Sequence, residues 1–361
     1  MHLRFLCLIF LLSSLSLARP VYDVSTRAED LPRLIIYYQT THDSSGNPIS
    51  MLPLVTEKGI ALTHLIVCSF HINLNSEIHL NDYPPGDTHF NTVWAEAKVL
   101  KDAGVKIMGM VGGAAAGSFS TSTLDGNDTA FEHYYGQLRD VIIDFGLQGM
   151  DLDVEQSMSQ AGITRLVDRL FEAFGQDFII TLAPVASALR NGGNLSGFDY
   201  EDLEAAVGVA IDFYNAQFYN GFGSMTNTAA FDSVISNGWS PQKIVVGQIT
   251  TPANGGQYVP FDTLNTTITQ LRAKYGEIGG IMGWEYFNSE PGGTSEPWEW
   301  AQEMTKILRP NDSVNLTITV DKAKALEAAW RSSVISTESQ GLNVENVQEK
   351  PGVDYMAMIN A

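Results

Sequence analysis

The chain is poor in cysteine, in cations and in long apolar runs. It holds two cysteines in 361 residues, Cys7 and Cys68. Loss of an N-terminal leader would leave Cys68 alone, so an internal disulfide is excluded and a packed core must hold the fold. Cys68 lies in Leu62-Thr-His-Leu-Ile-Val-Cys-Ser-Phe70, which reads as a buried strand with an inert core thiol. Lys and Arg number 21 against 41 Asp and Glu, a net charge of −20. That field repels a phosphate backbone and excludes nucleic acid as a partner. After residue 18 no stretch reaches the ~20 apolar residues of a spanning helix, so no membrane partner is expected. No Gly-x-Gly-x-x-Gly turn follows the first strand, which argues against a nucleotide-binding sheet. Internal repeats, low-complexity tracts and a cysteine-rich sugar-binding module are absent as well. Hydrophobic residues still make up 44% of the chain, enough to bury a full core, so wholesale disorder is excluded.

Residues 1–18 have the layout of a secretory signal peptide. His2 and Arg4 form a short basic front, an apolar stretch runs from Phe5 to Leu17, and Ser16-Leu17-Ala18 is a small-x-small cleavage site. The apolar stretch is too short to span a bilayer. Five Asn-x-Ser/Thr sequons, at Asn127, Asn194, Asn265, Asn311 and Asn315, fit a secreted, N-glycosylated protein.

Eight short runs rich in β-branched and aromatic residues cover 33–40, 62–71, 106–113, 149–155, 178–186, 212–220, 243–250 and 279–287. Helical periodicity fills the gaps, most clearly over 130–145, where Phe131, Tyr134, Tyr135, Leu138, Val141, Ile142 and Phe145 recur at three- and four-residue steps. Other helices are expected over 90–103, 163–174, 200–209, 228–237, 261–275 and 297–308, with Asp128 and Asp199 as caps. Strands alternating with helices imply parallel strands joined by crossovers. Eight such units within 19–310 match a (β/α)₈ TIM barrel, in the α/β class. Residues 311–361 form a C-terminal extension of unknown role with one plausible helix over 321–331. A flexible tail, a processed extension and a docked appendage all remain open for it.

The fourth strand carries the chemistry. It reads Gly149-Met-Asp-Leu-Asp-Val-Glu155. Alternation puts Asp151, Asp153 and Glu155 on one face, and Met150, Leu152 and Val154 on the other. In a parallel barrel the apolar face meets the helices, so the acids point inward. Three carboxylates at ~6–7 Å spacing in a poorly solvated interior cannot all ionise freely, so one pKa should rise. A raised carboxyl pKa is what a general acid near neutral pH requires. Glu155 lies nearest the C-terminal mouth, where barrel enzymes place their sites. Neither a histidine pair nor further clustered carboxylates complete a metal site, and no metal is expected.

This heptapeptide resembles the DxxDxDxE signature of glycoside hydrolase family 18, the chitinases and endo-β-N-acetylglucosaminidases. Gln217-Phe218-Tyr219-Asn220 is similar to that family's Gln-x-Tyr-Asn/Asp element, and Trp284 in Gly-Gly-Ile-Met-Gly-Trp is similar to its barrel-floor tryptophan. The resemblance implies substrate-assisted, retaining hydrolysis without a cofactor. Glu155 would protonate the glycosidic oxygen while the sugar's 2-acetamido oxygen attacks the anomeric carbon to give an oxazolinium ion. Asp153 would hold the acetamido N–H, and Asp151 would share a proton with Asp153. Tyr219 and Gln217 would orient the acetamido carbonyl, Asn220 would contact the same region, and Trp284 would support the ring. Tyr37, Tyr38, Phe70 and Tyr286 are candidates for lining sugar subsites. Two positions depart from the family pattern. Gln148 stands where an aspartate is usual, and Met110 stands where serine is common; in the family these positions touch behind the acids.

The interval between the seventh and eighth strands is too short for the α+β insertion of many chitinases, so an open cleft suited to endo attack is expected. Stretches 108–117, 149–158, 181–187 and 280–293 resemble secreted fungal endo-β-N-acetylglucosaminidases, and Gln156 differs from the residue usual in chitinases. The implied reaction is cleavage of the chitobiose core of N-glycans on glycoproteins, by a monomer. An endo-chitinase acting on chitin oligomers is the alternative, and a non-catalytic sugar-binding barrel is a third.

Overall fold

Side chains alternate between two hydrophobic layers along strands that close on themselves. The computed structural model describes residues 31–312 and 318–338, so the leader and Asn315 lie outside it. The strands are β1 (Arg33–Tyr38), β2 (His64–His71), β3 (His79–Leu80), β4 (Lys106–Gly112), β5 (Gly149–Asp153), β6 (Ile179–Leu182), β7 (Phe213–Gln217), β8 (Ile244–Ile249) and β9 (Gly280–Trp284). All but β3 pair in parallel, and the pairing of β1 with both β2 and β9 closes an eight-stranded barrel. The (β/α)₈ expectation holds.

The inner layer gathers Ile35, Tyr37, Ile66, Cys68, Met108, Met110, Phe213, Val245 and Met282. Their outward neighbours, among them Leu34, Ile36, Leu65, Ile107, Met150, Leu152 and Val246, pack against the helices. Period-two alternation thus places one hydrophobic residue on each side of the barrel wall.

The helices are α1 (Pro53–Thr56), α2 (Asn91–Asp102), α3 (Asp128–Asp144), α4 (Gln160–Phe174), α5 (Tyr200–Val207), α6 (Ala229–Ser236), α7 (Phe261–Tyr275), α8 (Glu299–Leu308) and α9 (Val320–Glu338). Asp199 caps α5 by accepting from the Asp202 N–H. At α3 the cap is Asn127 rather than Asp128, because the Asn127 side chain reaches the Ala130 N–H. Two elements escape sequence reading. Helix α1 spans four residues, and β3 is a two-residue antiparallel addition to β2, pairing Phe70 with Leu80 and His71 with His79. Both are too short to show a period. The expected strands also overrun at their C-terminal ends, where the ladder stops at Asp153, Gln217 and Trp284 and the chain turns into the mouth loops. Helix α7 fills most of the interval from β8 to β9 and leaves no room for an insertion domain.

Helix α9 lies against α2. Ala323 and Leu326 are buried there, and the Arg331 guanidinium donates to Thr92 Oγ1 at 2.7 Å. Among the described residues no helix is long and apolar enough to cross a membrane. Asn127, Asn194, Asn265 and Asn311 are exposed. Deleting a fully buried leucine side chain costs about 2–5 kcal/mol. Leu326→Ala is therefore expected to release α9, read as faster tryptic cleavage at Lys322 and Lys324, whereas exposed Val320→Ala should leave the rate unchanged.

Candidate active site

Asp151, Asp153 and Glu155 emerge from β5 toward the C-terminal mouth. Asp151 is fully buried, Asp153 nearly so, and Glu155 is half-buried just beyond the strand end. The inward acids and outward Met150, Leu152 and Val154 follow from alternation alone.

Asp151 accepts three side-chain hydrogen bonds: from Tyr37 Oη at 2.6 Å, Thr181 Oγ1 at 2.5 Å and Asn215 Nδ2 at 3.1 Å. Burial pushes its carboxyl above the usual carboxylate range, and these three donors pull it back part of the way. Asp153 has far less help. Among the described residues its one side-chain donor is Gln217 Nε2 at 3.3 Å. Burial drives it well above the usual range, and the charges of Glu155 and then Asp151 push in the same direction. Of the two buried aspartates, Asp153 therefore keeps its proton more readily. Among the described residues no hydrogen bond joins Asp151 to Asp153, and the side-chain partners of Asp151 are Tyr37, Thr181 and Asn215. Asn215 Oδ1 is buried with no hydrogen-bond partner among the described residues, so Asp151 alone orients that amide.

Gln217 sits between the outer acids. Its amide nitrogen lies 3.1 Å from Glu155 Oε1, 3.3 Å from Asp153 Oδ1 and 3.0 Å from the Ala183 carbonyl. Tyr219 is buried in the inner layer, and the charges of Asp153, Glu155 and Asp151 add to the burial that raises its phenol. Its hydroxyl has no hydrogen-bond partner among the described residues. The Trp284 ring packs edge-on against Tyr37 at 5.6 Å, which ties the floor of the mouth to the residue that holds Asp151. Asn220 does not join this group. It is exposed, has φ +54°, and accepts from the Gly256 N–H at 2.7 Å.

The aromatic candidates need correction. Tyr38, Phe70 and Tyr286 are buried in the outer layer between barrel and helices, facing away from the mouth. Tyr37 faces inward but is fully buried beneath Trp284 with its hydroxyl committed to Asp151. The two departures also behave differently from the family expectation, since Gln148 and Met110 do not pair. The Gln148 side chain accepts from the Ile107 N–H at 3.1 Å, whereas Met110 stands opposite Asp151 in the β4–β5 ladder.

Sequence reading missed Thr181, Asn215 and the half-buried Tyr258 beside the inner layer. A signal for the first two was present. Each is a polar residue at an inward position of a strand whose flanking residues are apolar, Ile180 and Leu182 for Thr181, and Tyr214 and Ala216 for Asn215. Close packing also fixes the exit of β5. The Gly113 N–H donates to the Asp153 carbonyl at 2.9 Å, and a Cβ on Gly112, with φ +106°, would lie 2.2 Å from that oxygen. Beyond the strand, Gln156 Oε1 accepts from the Gly117 N–H at 2.6 Å. No group of three or more His, Cys, Asp or Glu suited to a metal ion occurs among the described residues.

Comparison with known proteins places this geometry. Residues 33–254 match the sequence profile of Glycosyl hydrolases family 18. Chitinase 2 of Rhizopus oligosporus is 29% identical over 282 residues, covering 70% of this chain and 49% of that protein. Chitinase 1 of Rhizopus niveus is 26% identical, covering 69% and 53%. The chain thus spans about half the length of these curated relatives. Among solved structures, a fungal endo-β-N-acetylglucosaminidase of glycosyl hydrolase family 18 is 65% identical with a TM-score of 0.78, covering 78% of this chain and all of that one. Chitinase ChiC from Aspergillus fumigatus is 48% identical with a TM-score of 0.69, covering 76% and 98%.

The Asp153 environment makes a signed stability prediction. An acid whose folded pKa is raised stabilises the fold at low pH and loses that contribution as pH climbs from its unfolded value, ~3.9, toward the folded one. Asp153→Asn removes the titration and keeps an acceptor for Gln217. Its melting temperature should exceed that of the unaltered protein by several degrees at pH 8, with the gain shrinking toward pH 4. Thermal melts across that range check the sign.

Proposed function

The chain belongs to glycosyl hydrolases family 18, and from that premise we propose that it is a secreted endo-β-N-acetylglucosaminidase. Its reaction is hydrolysis of the β-1,4 bond in the N,N′-diacetylchitobiose core of N-glycans, with retention of configuration. The observation that carries the mechanism is the contrast between Asp151, ringed by three donors, and Asp153, buried between two other acids with one weak donor. A carboxyl that holds its proton is a poor nucleophile. The two-carboxylate route needs an ionised nucleophile at that place, whereas a route in which the substrate's own acetamido oxygen attacks does not. Glu155, half-buried at the open mouth, protonates the leaving oxygen. Asp153 faces the acetamido N–H, accepts from it through its carboxyl oxygen and orients the group for attack.

The surrounding groups take roles that follow from their partners. The unpartnered hydroxyl of Tyr219 is available to the acetamido carbonyl. Trp284 forms the floor, and Tyr37 fixes its distance from Asp151. Gln217 links Asp153 to Glu155 and keeps the two acids in register, a different task from orienting the substrate. Asn220 holds the loop at Gly256.

The N-glycan reading is supported by 65% identity to a fungal endo-β-N-acetylglucosaminidase and by Gln156 following the acid. Chitin hydrolysis is the second reading, supported by the 48% identity to ChiC and by the Rhizopus chitinases. A high-mannose glycoprotein and chitin oligomers, offered side by side, separate the two. A mobility shift of the glycoprotein is the expected result, and release of chitobiose from the oligomers alone would replace the first reading with the second. Glu155→Gln should lower the rate by roughly 10²–10⁴-fold, the usual contribution of a general acid. Activity within tenfold of the unaltered enzyme would remove Glu155 from that role.

A further inference from the structure

Glu155 stands beyond the last residue of β5, where the ladder no longer holds the backbone. Its carboxyl has one side-chain partner among the described residues, Gln217. Its place must therefore be set by the main chain on either side of it. That main chain is closed at both ends by a single residue of the loop between β6 and α5. The buried Ser196 hydroxyl donates to the Val154 carbonyl at 2.7 Å, and the Ser196 carbonyl accepts from the Met158 N–H at 2.8 Å. The segment that carries the acid, 154–158, is thus bracketed by one serine.

The bracket is itself held. Ser196 Oγ lies 2.8 Å from Tyr200 Oη. A serine hydroxyl has one proton, and here it goes to a carbonyl that can only accept, so Tyr200 must donate to Ser196. Burial pushes the Tyr200 phenol up, the bond to Ser196 pulls it back in part, and the charges of Asp153, Asp151 and Glu155 push it up again, so it keeps the proton that it donates. Tyr200 is fully buried at the start of α5, with its ring 4.7 Å from Phe198. The Asn194 side chain shapes the turn, accepting from the Ser196 N–H at 2.8 Å and donating to the Phe198 carbonyl at 2.6 Å. Gly197, with φ +80°, lets the turn press on the acid's segment, since a Cβ there would lie 2.6 Å from Ser157 Oγ and 3.2 Å from the Met158 nitrogen.

We infer that Ser196 is a positioning residue for Glu155, backed by Tyr200, and that the two hydroxyls set where the acid's carboxyl stands at the mouth. The inference rests on the reading of Glu155 as the proton donor and extends it to what holds that donor in place. A general acid works only within hydrogen-bond reach of the oxygen that it protonates, and a displacement of about 1 Å is costly. Removing the Ser196 hydroxyl leaves the Val154 carbonyl without this donor, and a buried carbonyl that loses its partner moves to find another. Glu155 is the next residue, so it moves as well. Asp151 and Asp153 do not follow, because they lie within the β4–β5 ladder. The effect then falls on proton donation and spares the binding of substrate.

Steady-state kinetics on a high-mannose glycopeptide and on chitohexaose test this, with the full chain produced in bacteria. No N-glycan is attached there, so the Asn194 sequon that Ser196→Ala also destroys has no bearing on the result. On whichever substrate the unaltered enzyme cleaves, Ser196→Ala should lower kcat by about tenfold and leave KM within about twofold. Tyr200→Phe keeps the bond to Val154 but removes the donor behind it, and should lower kcat by about threefold with KM unchanged. Neither substitution should cost anything further in a Glu155→Gln protein, because a residue that acts through the acid has nothing to position once the acid is gone. Unaltered kinetics, a rise in KM with kcat unchanged, or a loss of the same size in the Glu155→Gln protein overturns the inference. Tyr200→Phe decides by the same criteria if Ser196→Ala does not fold. The reading of Glu155 fails separately, if Glu155→Gln alone keeps activity within about tenfold.

Discussion

A five-residue strand that turns two carboxyl groups inward, and a third just past its end, sets the terms for the rest of this site. Burial raises the cost of each negative charge, and each ionised neighbour raises it again. The protein meets that cost unevenly. Asp151 receives a phenol, a hydroxyl and an amide, while Asp153 receives one long contact from an amide that it shares with Glu155. Unequal donation separates the protonation behaviour of two aspartates that stand two residues apart on one face. The arrangement of Tyr37 under Trp284, and of Gln217 between the outer acids, serves the same end, since every donor spent on one carboxyl is unavailable to the next.

Rewiring around Asp151 shows how such a site tolerates substitution. Met110 stands directly opposite Asp151 in the ladder and has no proton to donate. The donors come instead from the other side of β5 and from across the barrel, through Thr181, Asn215 and Tyr37. A buried carboxylate needs a number of donors, not donors from a particular strand. That is why a departure at one position of a motif leaves the acids themselves in place, and why Gln148, whose side chain serves the backbone of β4, is free of any role in the stack.

Most of the barrel was legible because its signals are periodic. Alternation of apolar residues with acids on β5, or of Phe213, Asn215 and Gln217 with Tyr214 and Ala216 on β7, fixes which side of the wall each side chain occupies. What escaped reading has no period. The hairpin strand β3 is two residues long, α1 is four, and strand ends are set by where the ladder gives way to mouth loops rather than by composition. Aromatic residues misled for a related reason. Tyr38, Phe70 and Tyr286 occupy outward positions, and adjacency to a strand end says nothing about facing until the register is known. Thr181 and Asn215 could have been found, because a polar residue at an inward position must have a partner, and the acids are the nearest group in need of donors.

The floor of the mouth and Thr40 beside it are parts of one rigid segment. The carbonyl of Trp284 accepts from the Thr250 N–H at 2.9 Å and from Asn254 Nδ2 at 3.1 Å, so its backbone is gripped from the β8 side. The next residue, Glu285, is buried and grips Thr40 on the β1 side with both oxygens, and the Tyr286 N–H donates to the Tyr37 carbonyl at 3.0 Å. Three consecutive residues therefore tie the β8 loop, the indole and the exit of β1 together. Burial raises the Glu285 carboxyl, while the bonds from Thr40 favour its ionised form. A group so placed makes the position of Thr40 depend on the same backbone that carries the indole. The distance between the floor and Thr40 is then a property of the β9 exit itself, set by hydrogen bonds that exist before any ligand arrives.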